Sequence, residues 1–167
     1  IVDDCSDNEG YVNEYADIPG VVTHRHSEKQ GYAECFMTAL KSTEQPWVLY
    51  VEPEIKLMTN NWLLHLGQTL LSVKNRGIKM VGPRMDHIDE GADTRQQAAK
   101  GDGMEGKDVI LTDTHLSLFC FLCHRELLGR IGGLPKKWTS LELARLMRGR
   151  GFGQAICATS WVHHESM

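Results

Sequence analysis

Acidic residues directly follow two apolar segments of this chain, and these are the side chains best placed to do chemistry. Asp3 and Asp4 follow the apolar pair that opens the sequence, and Glu52 and Glu54 follow the apolar run Pro46-Trp-Val-Leu-Tyr-Val51. In open α/β sheets ligands bind beyond the carboxyl ends of strands, so carboxylates at those ends indicate a binding site. Alternate residues at a strand end can converge on one divalent cation, and their hard oxygen atoms suit Mn²⁺ or Mg²⁺. The alternative interpretation is that Glu52 and Glu54 lie at a solvated strand end and bind no ligand.

Two histidines, His163 and His164, close the last apolar segment of the sequence. Because side chains alternate along a strand, one imidazole should face the core or a cleft and the other should face away. Either ring could bind a metal ion, or it could be a structural residue with its hydrogen bonds satisfied.

Cysteine and histidine also occur together in the apolar run Leu116-Ser-Leu-Phe-Cys-Phe-Leu-Cys-His124. The run is typical of a packed strand, in which a buried thiol behaves as a small hydrophobic group. A zinc site made from Cys120, Cys123 and either His163 or His164 is the alternative. Strand alternation disfavours this site, because Cys120 and Cys123 would point to opposite faces of a regular strand.

The elements that must position these residues alternate between strands and helices. Apolar runs predict strands, apolar spacings of three and four predict helices, and glycines mark their ends. The predicted strands are 1–2, 20–24, 46–51, 78–81, 116–123 and one that ends at 164, and the predicted helices are 28–42, 62–76, 125–131 and 140–150. This order predicts an α/β fold, with a mainly parallel sheet flanked by helices, in a single domain over residues 1–167. The polar, glycine-rich segment 84–107 predicts a flexible loop.

Composition and charge exclude other classes of protein. The 167 residues include 18 Lys plus Arg and 22 Asp plus Glu, and the resulting formal charge of −4 disfavours general nucleic-acid binding. No apolar run approaches the roughly 20 residues that cross a bilayer, so no transmembrane segment is expected. Five cysteines without a secretory signal favour a reducing, cytoplasmic compartment, and peripheral membrane association stays open.

Five segments, taken in order, carry a family resemblance. They are Ile1-Val-Asp-Asp-Cys-Ser-Asp7, Trp47-Val-Leu-Tyr-Val-Glu-Pro-Glu-Ile55, Phe119-Cys-Phe-Leu-Cys-His-Arg-Glu-Leu-Leu-Gly-Arg-Ile-Gly-Gly-Leu134, Leu141-Glu-Leu-Ala-Arg-Leu-Met-Arg-Gly-Arg-Gly-Phe152 and Trp161-Val-His-His164. Together they resemble family 2 glycosyltransferases of the GT-A fold, the nucleotide-diphospho-sugar transferases. In that family the matching segments are an Asp-Asp-x-Ser-x-Asp turn, a strand ending in Asp-x-Asp, a strand and helix leading to Leu/Ile-Gly-Gly, a late helix and a terminal strand. The resemblance covers nearly the whole chain.

The resemblance implies transfer of a sugar from a nucleotide-diphosphate donor to a hydroxyl acceptor, with inversion at the sugar and with Mn²⁺ or Mg²⁺. The acceptor would be a glycan, a lipid, a protein or a modified base. By this resemblance Asp3, Asp4 and Ser6 bind the nucleotide, although these residue types also suit a plain turn. Glu54 and then Glu52 are the metal ligands, with a terminal histidine, His163, as a further one. The metal would offset the charge of the leaving diphosphate.

The sequence departs from the family pattern in four ways. The first strand and helix of the family have no counterpart, so the chain is expected to be N-terminally incomplete. Glu-x-Glu at 52–54 replaces Asp-x-Asp, and Phe36-Met37 replaces an Arg-Asn pair. Thr139-Ser140 replaces the acidic pair that carries the catalytic base. A catalytically degenerate GT-A-like binding domain is therefore the alternative to an enzyme.

Two carboxylates, Glu142 and Asp113, are candidates for the catalytic base. Glu142 also completes a capping box, Thr139-Ser-Leu-Glu142, whose role would be to begin a helix. Asp113 has no motif behind it. Arg84 and His115, at the start of the predicted loop and just beyond its end, are candidates for acceptor binding or for a lid, with a solvated loop as the alternative.

Overall fold

The structure is a computed structural model that describes residues 1–7, 10–98, 108–132 and 139–165. The chain forms two units, which we call the small unit (1–45 and 134–138) and the large unit (46–133 and 139–167). No described helix is both long enough and apolar enough to cross a membrane.

The small unit is built around two short parallel strands and a helix. Its elements are β1 (Val2–Asp3), α1 (Gly10–Ala16), β2 (His24–Arg25) and α2 (Tyr32–Lys41). Val2 pairs with His24 and Asp3 with Arg25. Helix α2 buries Ala33 and Phe36.

Helix α2 begins four residues later than its apolar spacing predicts, at Tyr32 instead of Glu28. The residue before it, Gly31, has φ of 85°, a left-handed conformation that favours glycine. The backbone N–H groups of Gln30 and Gly31 donate to the Asp4 carboxylate, each at 2.8 Å. These amides therefore point at a side chain and not along a helix axis.

Six described strands of the large unit form a mixed sheet. They are β3 (Trp47–Val51), β4 (Ile55–Leu57), β5 (Ile78–Met85), β6 (Val109–Leu111), β7 (Cys120–His124) and β8 (Gly153–His164). Their order is β3-β7-β5-β8-β4, and β6 also pairs with β8. The predicted α/β class is confirmed, but the sheet is mixed and not mainly parallel.

Strand β8 explains why the sheet is mixed. It has 12 residues and pairs with β5 in parallel along one side. Along its other side it pairs with β6 and then β4, both antiparallel. Strands β4 and β6 have only 3 residues each, too few to show a period in the sequence.

Helices cover both faces of this sheet. On one face α3 (Trp62–Val73), followed by a 3₁₀ turn (Lys74–Arg76), packs against the strands. The contact is made by Leu66, Leu70, Val73, Ile78, Val81, Leu122, Ala155 and Cys157. On the other face α5 (Ser140–Gly149) reaches the sheet through Met147, whose Sδ lies 3.6 Å from Gln154 Nε2. Helix α4 (Arg125–Arg130) directly follows β7.

The predicted loop at 84–107 begins later than expected. Strand β5 continues through Gly82-Pro83 to Met85, so Arg84 lies in the strand and is buried. Pro83 is accommodated next to a register shift between it and Arg84. Residues 99–107 lie outside the described part, and the flexibility of the segment stays a prediction.

Candidate functional site

Three strands of the large unit end at the same edge of the sheet. Strands β3 and β5 are both antiparallel to β7 and so share a direction, and β8 is parallel to β5. Glu52 follows β3, Asp86 follows β5, and His163 and His164 end β8. We call these four residues and Glu54, His87, Asp89 and Phe119 the edge cluster.

His164 is the histidine that faces Glu52. Its Nε2 lies 3.9 Å from Glu52 Oε2. Its ring is tilted against Phe119 at 4.3 Å between centroids and stacks with His87 at 5.5 Å. Its Nδ1 is buried without a hydrogen-bond partner among the described residues. A buried polar atom left without a partner points to a ligand that completes this site.

Glu52 lies among negative charges. Burial raises the pKa of its carboxyl, and the charges of Glu54 and Asp89 raise it further. A hydrogen bond from the Tyr50 hydroxyl, at 3.3 Å, acts in the opposite direction. Glu54 and Asp89 thus repel the Glu52 carboxylate, and a cation beside it would relieve that repulsion.

The His163 side chain points away from Glu52, because side chains alternate between the two faces of β8. Its Nδ1 pairs with the Asp86 carboxylate, and its ring stacks with Trp161. The backbone N–H of His164 donates to Asp86 Oδ1 at 2.9 Å. Burial raises the pKa of Asp86, but the hydrogen bonds from His164 and His163 outweigh burial and hold that pKa below its usual range. Among the predicted ligands the structure thus brings His164 to Glu52 and leaves His163 with Asp86.

The two predicted bases lie in different settings. Glu142 forms a capping box at the start of α5, because its Oε2 accepts from Thr139 N at 2.8 Å and the Thr139 side chain accepts from Glu142 N. Asp113 has a side chain that is 93% exposed and lies 3.7 Å from Arg95. The role of either carboxylate as a base stays a proposal.

Two further predicted residues are buried. Arg84 lies in β5 opposite Trp161. His115 is buried, and burial lowers the pKa of its imidazole, with Arg148 lowering it further and Asp89 opposing. Asp89 also accepts a hydrogen bond from Ser140, the first residue of α5.

The alternative zinc site in β7 is not assembled in the described part of the chain. Cys120 and Cys123 are both buried, and burial raises the pKa of each thiol to about 12. With His163 or His164 they form no group of three ligand atoms within 4.8 Å of one another among the described residues. The packed-strand interpretation fits this placement.

In the small unit, Asp3 is held by the turn that follows it. Its Oδ1 accepts from Ser6 N at 3.0 Å and from the Ser6 hydroxyl, and its Oδ2 pairs with Arg25. The Ser6 hydroxyl lowers the pKa of Asp3, and burial opposes it. The segment predicted to bind a nucleotide is therefore fixed by its own hydrogen bonds.

Asp4 lies in a second group, with His26 and Cys35. Asp4 Oδ1 is 3.0 Å from His26 Nδ1, and Cys35 Sγ is 3.9 Å from the same nitrogen. Burial raises the pKa of Asp4, but hydrogen bonds from Gln30, His26 and Gly31 bring it down to about 2. Burial and the neighbouring Asp4 raise the pKa of Cys35 to about 11.

Sequence reasoning missed Phe119, His26 and Cys35. Phe119 is one apolar residue within an apolar run, and only the pairing of β7 with β5 and of β5 with β8 brings it to the edge where it contacts His164. His26 and Asp4 lie 22 positions apart, and their proximity depends on the pairing of β1 with β2. The sequence signals that could have identified two of these residues were a histidine, His26, just after a predicted strand and a cysteine, Cys35, within a predicted helix.

Comparison with solved structures shows a GT-A glycosyltransferase fold. A crystal structure of GalNAc-T7 with UDP, GalNAc and Mn²⁺ superposes with a TM-score of 0.72 at 16% identity. The mannosyltransferase PcManGT from Pyrobaculum calidifontis, in complex with GDP-Man and Mn²⁺, gives 0.65 at 17%. Residues 1–349 of S. aureus TarS give 0.61 at 13%. At these identities the likeness establishes the fold alone.

The likeness covers 98% of this chain in each case, and 36%, 46% and 49% of those three chains respectively. The chain thus spans between about a third and a half of the length of these three neighbours. No protein-family model and no curated protein matches the sequence.

Proposed function

We propose that this chain belongs to a metal-dependent glycosyltransferase of family 2 type, which moves a sugar from a nucleotide-diphosphate donor to a hydroxyl acceptor with inversion. The observation that carries the proposal is the edge cluster, where Glu52 lies among like charges and beside His164. The GT-A fold adds support, because two solved neighbours hold a nucleotide or nucleotide sugar together with Mn²⁺.

The edge cluster offers the types of ligand that a hard divalent cation takes. No three of its ligand atoms lie within 4.8 Å of one another among the described residues, so its side chains would have to draw together to bind one. Glu52, Glu54 and Asp89 offer carboxylate oxygens, which Mn²⁺ and Mg²⁺ prefer. His164 offers a buried nitrogen without a partner among the described residues. We propose Glu54, Glu52 and His164 as the residues that hold the metal, with His163 acting through Asp86. A divalent metal bound there would supply charge that offsets the departing diphosphate.

The remaining roles are proposed from the sequence. Asp3 and Ser6 are proposed to bind the nucleotide, and their fixed turn would present acceptor groups without further ordering. Asp4 is left out of this role, because both of its carboxylate oxygens already accept hydrogen bonds from Gln30, Gly31 and His26. Glu142 is the proposed base. Both of the capping hydrogen bonds that it accepts fall on Oε2, so Oε1 is the oxygen that can take a proton from an acceptor hydroxyl. Asp113 is the second candidate for that role, and the buried Arg84 and His115 would support the acceptor side.

The test has a binding arm and a turnover arm. Thermal unfolding is followed with nucleoside diphosphates, with and without Mn²⁺, and hydrolysis of nucleotide sugars is measured in parallel. A ligand at a hundredfold excess over its Kd stabilises the folded state by about 2.7 kcal/mol. We expect one nucleotide to stabilise the protein in a Mn²⁺-dependent manner and its sugar conjugate to be hydrolysed.

A matched pair of variants tests whether the Mn²⁺-dependent stabilisation arises at the edge cluster. Glu52→Gln should remove the Mn²⁺-dependent stabilisation, and Glu126→Gln, at an exposed glutamate of α4, should keep it. Binding without hydrolysis would favour the degenerate binding domain over the enzyme. Absence of both binding and hydrolysis would overturn the proposal.

A further inference from the structure

Three different metal-binding side chains meet in the small unit, outside the edge cluster. Asp4 and His26 are the first residues after β1 and β2, and because these strands are parallel and in register, both side chains lie at the same strand ends. Cys35 comes from the first turns of α2. Within the described residues these three form the one group of His, Cys and acidic residues whose ligand atoms lie within 4.8 Å of one another.

The separations of these atoms match a tetrahedral metal site. With zinc bonds of about 2.0–2.3 Å, two ligand atoms at tetrahedral angles lie roughly 3.2–3.8 Å apart. Asp4 Oδ1 is 3.0 Å from His26 Nδ1, and Cys35 Sγ is 3.9 Å from it. The third separation, between an Asp4 carboxylate oxygen and Cys35 Sγ, is within 4.8 Å, so all three ligand atoms lie close enough to be drawn to three corners of a tetrahedron around one ion.

Neighbouring groups hold two of the three ligands, Asp4 and His26, in place. His26 Nδ1 donates to Asp4 Oδ1 at 3.0 Å, and Nε2 lies 3.0 Å from Thr38 Oγ1. A metal at Nδ1 would displace that proton, and the Thr38 hydroxyl can then accept a hydrogen bond from a proton on Nε2. Asp4 accepts the N–H groups of Gln30 and Gly31 at 2.8 Å each, which fixes its carboxylate. These contacts supply the second shell that metal-binding histidines and carboxylates usually have.

A catalytic Cys-His-Asp triad is the competing explanation, and the geometry disfavours it. In a triad the nucleophile contacts one imidazole nitrogen while the acidic residue contacts the other. Here Cys35 and Asp4 both approach Nδ1, and Nε2 faces Thr38. A carboxylate and a thiol that approach the same nitrogen do not form a triad, whereas three ligand atoms within 4.8 Å of one another are what a metal site needs.

We propose that Asp4 Oδ1, His26 Nδ1 and Cys35 Sγ bind a zinc-class divalent cation, with the fourth position left to water or to another ligand. A mixed sulfur, nitrogen and oxygen set suits zinc, whereas Mn²⁺ and Mg²⁺ prefer oxygen. On binding, the Cys35 thiol forms the sulfur–metal bond and releases its proton to solvent. This site is separate from the edge cluster and does not depend on the proposed transferase activity.

The experiment uses the whole chain and cobalt as a spectroscopic probe for zinc. Co²⁺ is titrated into the reduced, metal-free protein, and the thiolate-to-cobalt charge-transfer band is followed in the ultraviolet. Zn²⁺ is then added as a competitor. We expect a band that saturates at one Co²⁺ per chain, together with visible bands of tetrahedral cobalt, and we expect Zn²⁺ to abolish both.

Four variants assign the site to these residues. Cys35→Ser should abolish the charge-transfer band, and His26→Asn should weaken Co²⁺ binding by more than 100-fold. Thr38→Val, which alters only the neighbour of His26, should weaken it by about 10–100-fold. His24→Asn is the control, because His24 lies on the same strand and contacts Ser42 instead. Thermal unfolding of each metal-free variant verifies that it is folded.

The outcomes separate the proposal from its rivals. A charge-transfer band that persists in Cys35→Ser, or octahedral cobalt without such a band, would overturn the site. So would equal Co²⁺ affinity in Thr38→Val and the parent protein. Failure of nucleotide binding would leave the cobalt result unchanged, because none of the cobalt measurements includes a nucleotide.

Discussion

Two carboxylates of this chain have opposite electrostatic environments. Asp4 accepts two backbone N–H groups, which help to bring its pKa down to about 2, so its anion is stabilised by the protein itself. Glu52 is half-buried beside Glu54 and Asp89, and its pKa is raised. Of these two anions, Glu52 is therefore the one for which burial and like charges outweigh the hydrogen bond that it accepts from Tyr50.

This difference predicts how Glu52→Gln changes stability in the absence of divalent metal. A carboxyl whose pKa is raised on folding destabilises the folded state once it is ionised, and this penalty is absent below its unfolded pKa. We expect Glu52→Gln to increase the free energy of unfolding at pH 7 and to have no such effect below pH 4.5, the ordinary value for Glu. Urea unfolding at several pH values measures this.

Glu126→Gln is the control for that experiment. The Glu126 pKa is lowered by Arg130, so the substitution should remove stability near neutral pH and not add it. An equal gain in both variants, or a gain in Glu52→Gln that persists at low pH, would contradict the electrostatic explanation.

Glu142 allows capping and catalysis to be separated. Glutamine still accepts a hydrogen bond from Thr139 N, so Glu142→Gln should keep the capping box and change the free energy of unfolding by less than about 0.5 kcal/mol. Thr139→Ala removes the cap and should cost about 1 kcal/mol. If Glu142 is the base, Glu142→Gln lowers turnover by about 10²-fold or more. Unchanged turnover would show that Glu142 caps α5 and is not the catalytic base.

At the scale of elements, the start of α2 depends on Gly31. Its φ of 85° is strained for any residue with a Cβ, and its N–H holds Asp4. We expect Gly31→Ala to lower the free energy of unfolding by about 1–2 kcal/mol. Gly67→Ala is the matched control, because Gly67 lies in α3 with open space around its Cβ position, and alanine there should stabilise by about 0.5–1 kcal/mol. Chemical denaturation of both variants tests this, and a neutral Gly31→Ala would contradict the role of the turn.

Local patterns predicted the long elements well. The predicted helix at 140–150 is α5 (Ser140–Gly149), and the predicted strand at 46–51 is β3 (Trp47–Val51). In both elements a strong apolar pattern and a residue that marks the end of the element predict the same bounds. Helix α2 began late because the bond from Gly31 to Asp4 links residues 27 positions apart, and no local pattern contains it.

At the scale of the whole molecule, the sequence located the edge of the sheet better than it located the ligands. The strand-end rule pointed to Glu52, and the structure brings other strand-end residues to the same edge. The choice between His163 and His164 depends on the register of β8 against β4 and β5, which one sequence does not specify. The contact of His26 with Asp4 likewise depends on the pairing of β1 with β2.

The two proposed metal sites differ in ligand chemistry, and this difference predicts separate responses to two cations. Zn²⁺ should slow hydrogen exchange at Gln30 and Gly31, whose N–H groups bind Asp4, because a metal on Asp4 would hold that turn closed. Mn²⁺ with a nucleoside diphosphate should slow exchange at His164, whose N–H binds Asp86 in the edge cluster. Residue-resolved hydrogen exchange measures both effects in one sample series.

Variants should remove these effects one at a time. Cys35→Ser should remove the protection by Zn²⁺ at Gln30 and Gly31 and leave the Mn²⁺ effect at His164, whereas Glu52→Gln should do the reverse. This follows because sulfur and nitrogen ligands favour zinc, while clustered carboxylates favour manganese. Protection of both regions by either cation alone, or loss of both effects in one variant, would show that the two groups of ligands do not act as separate sites.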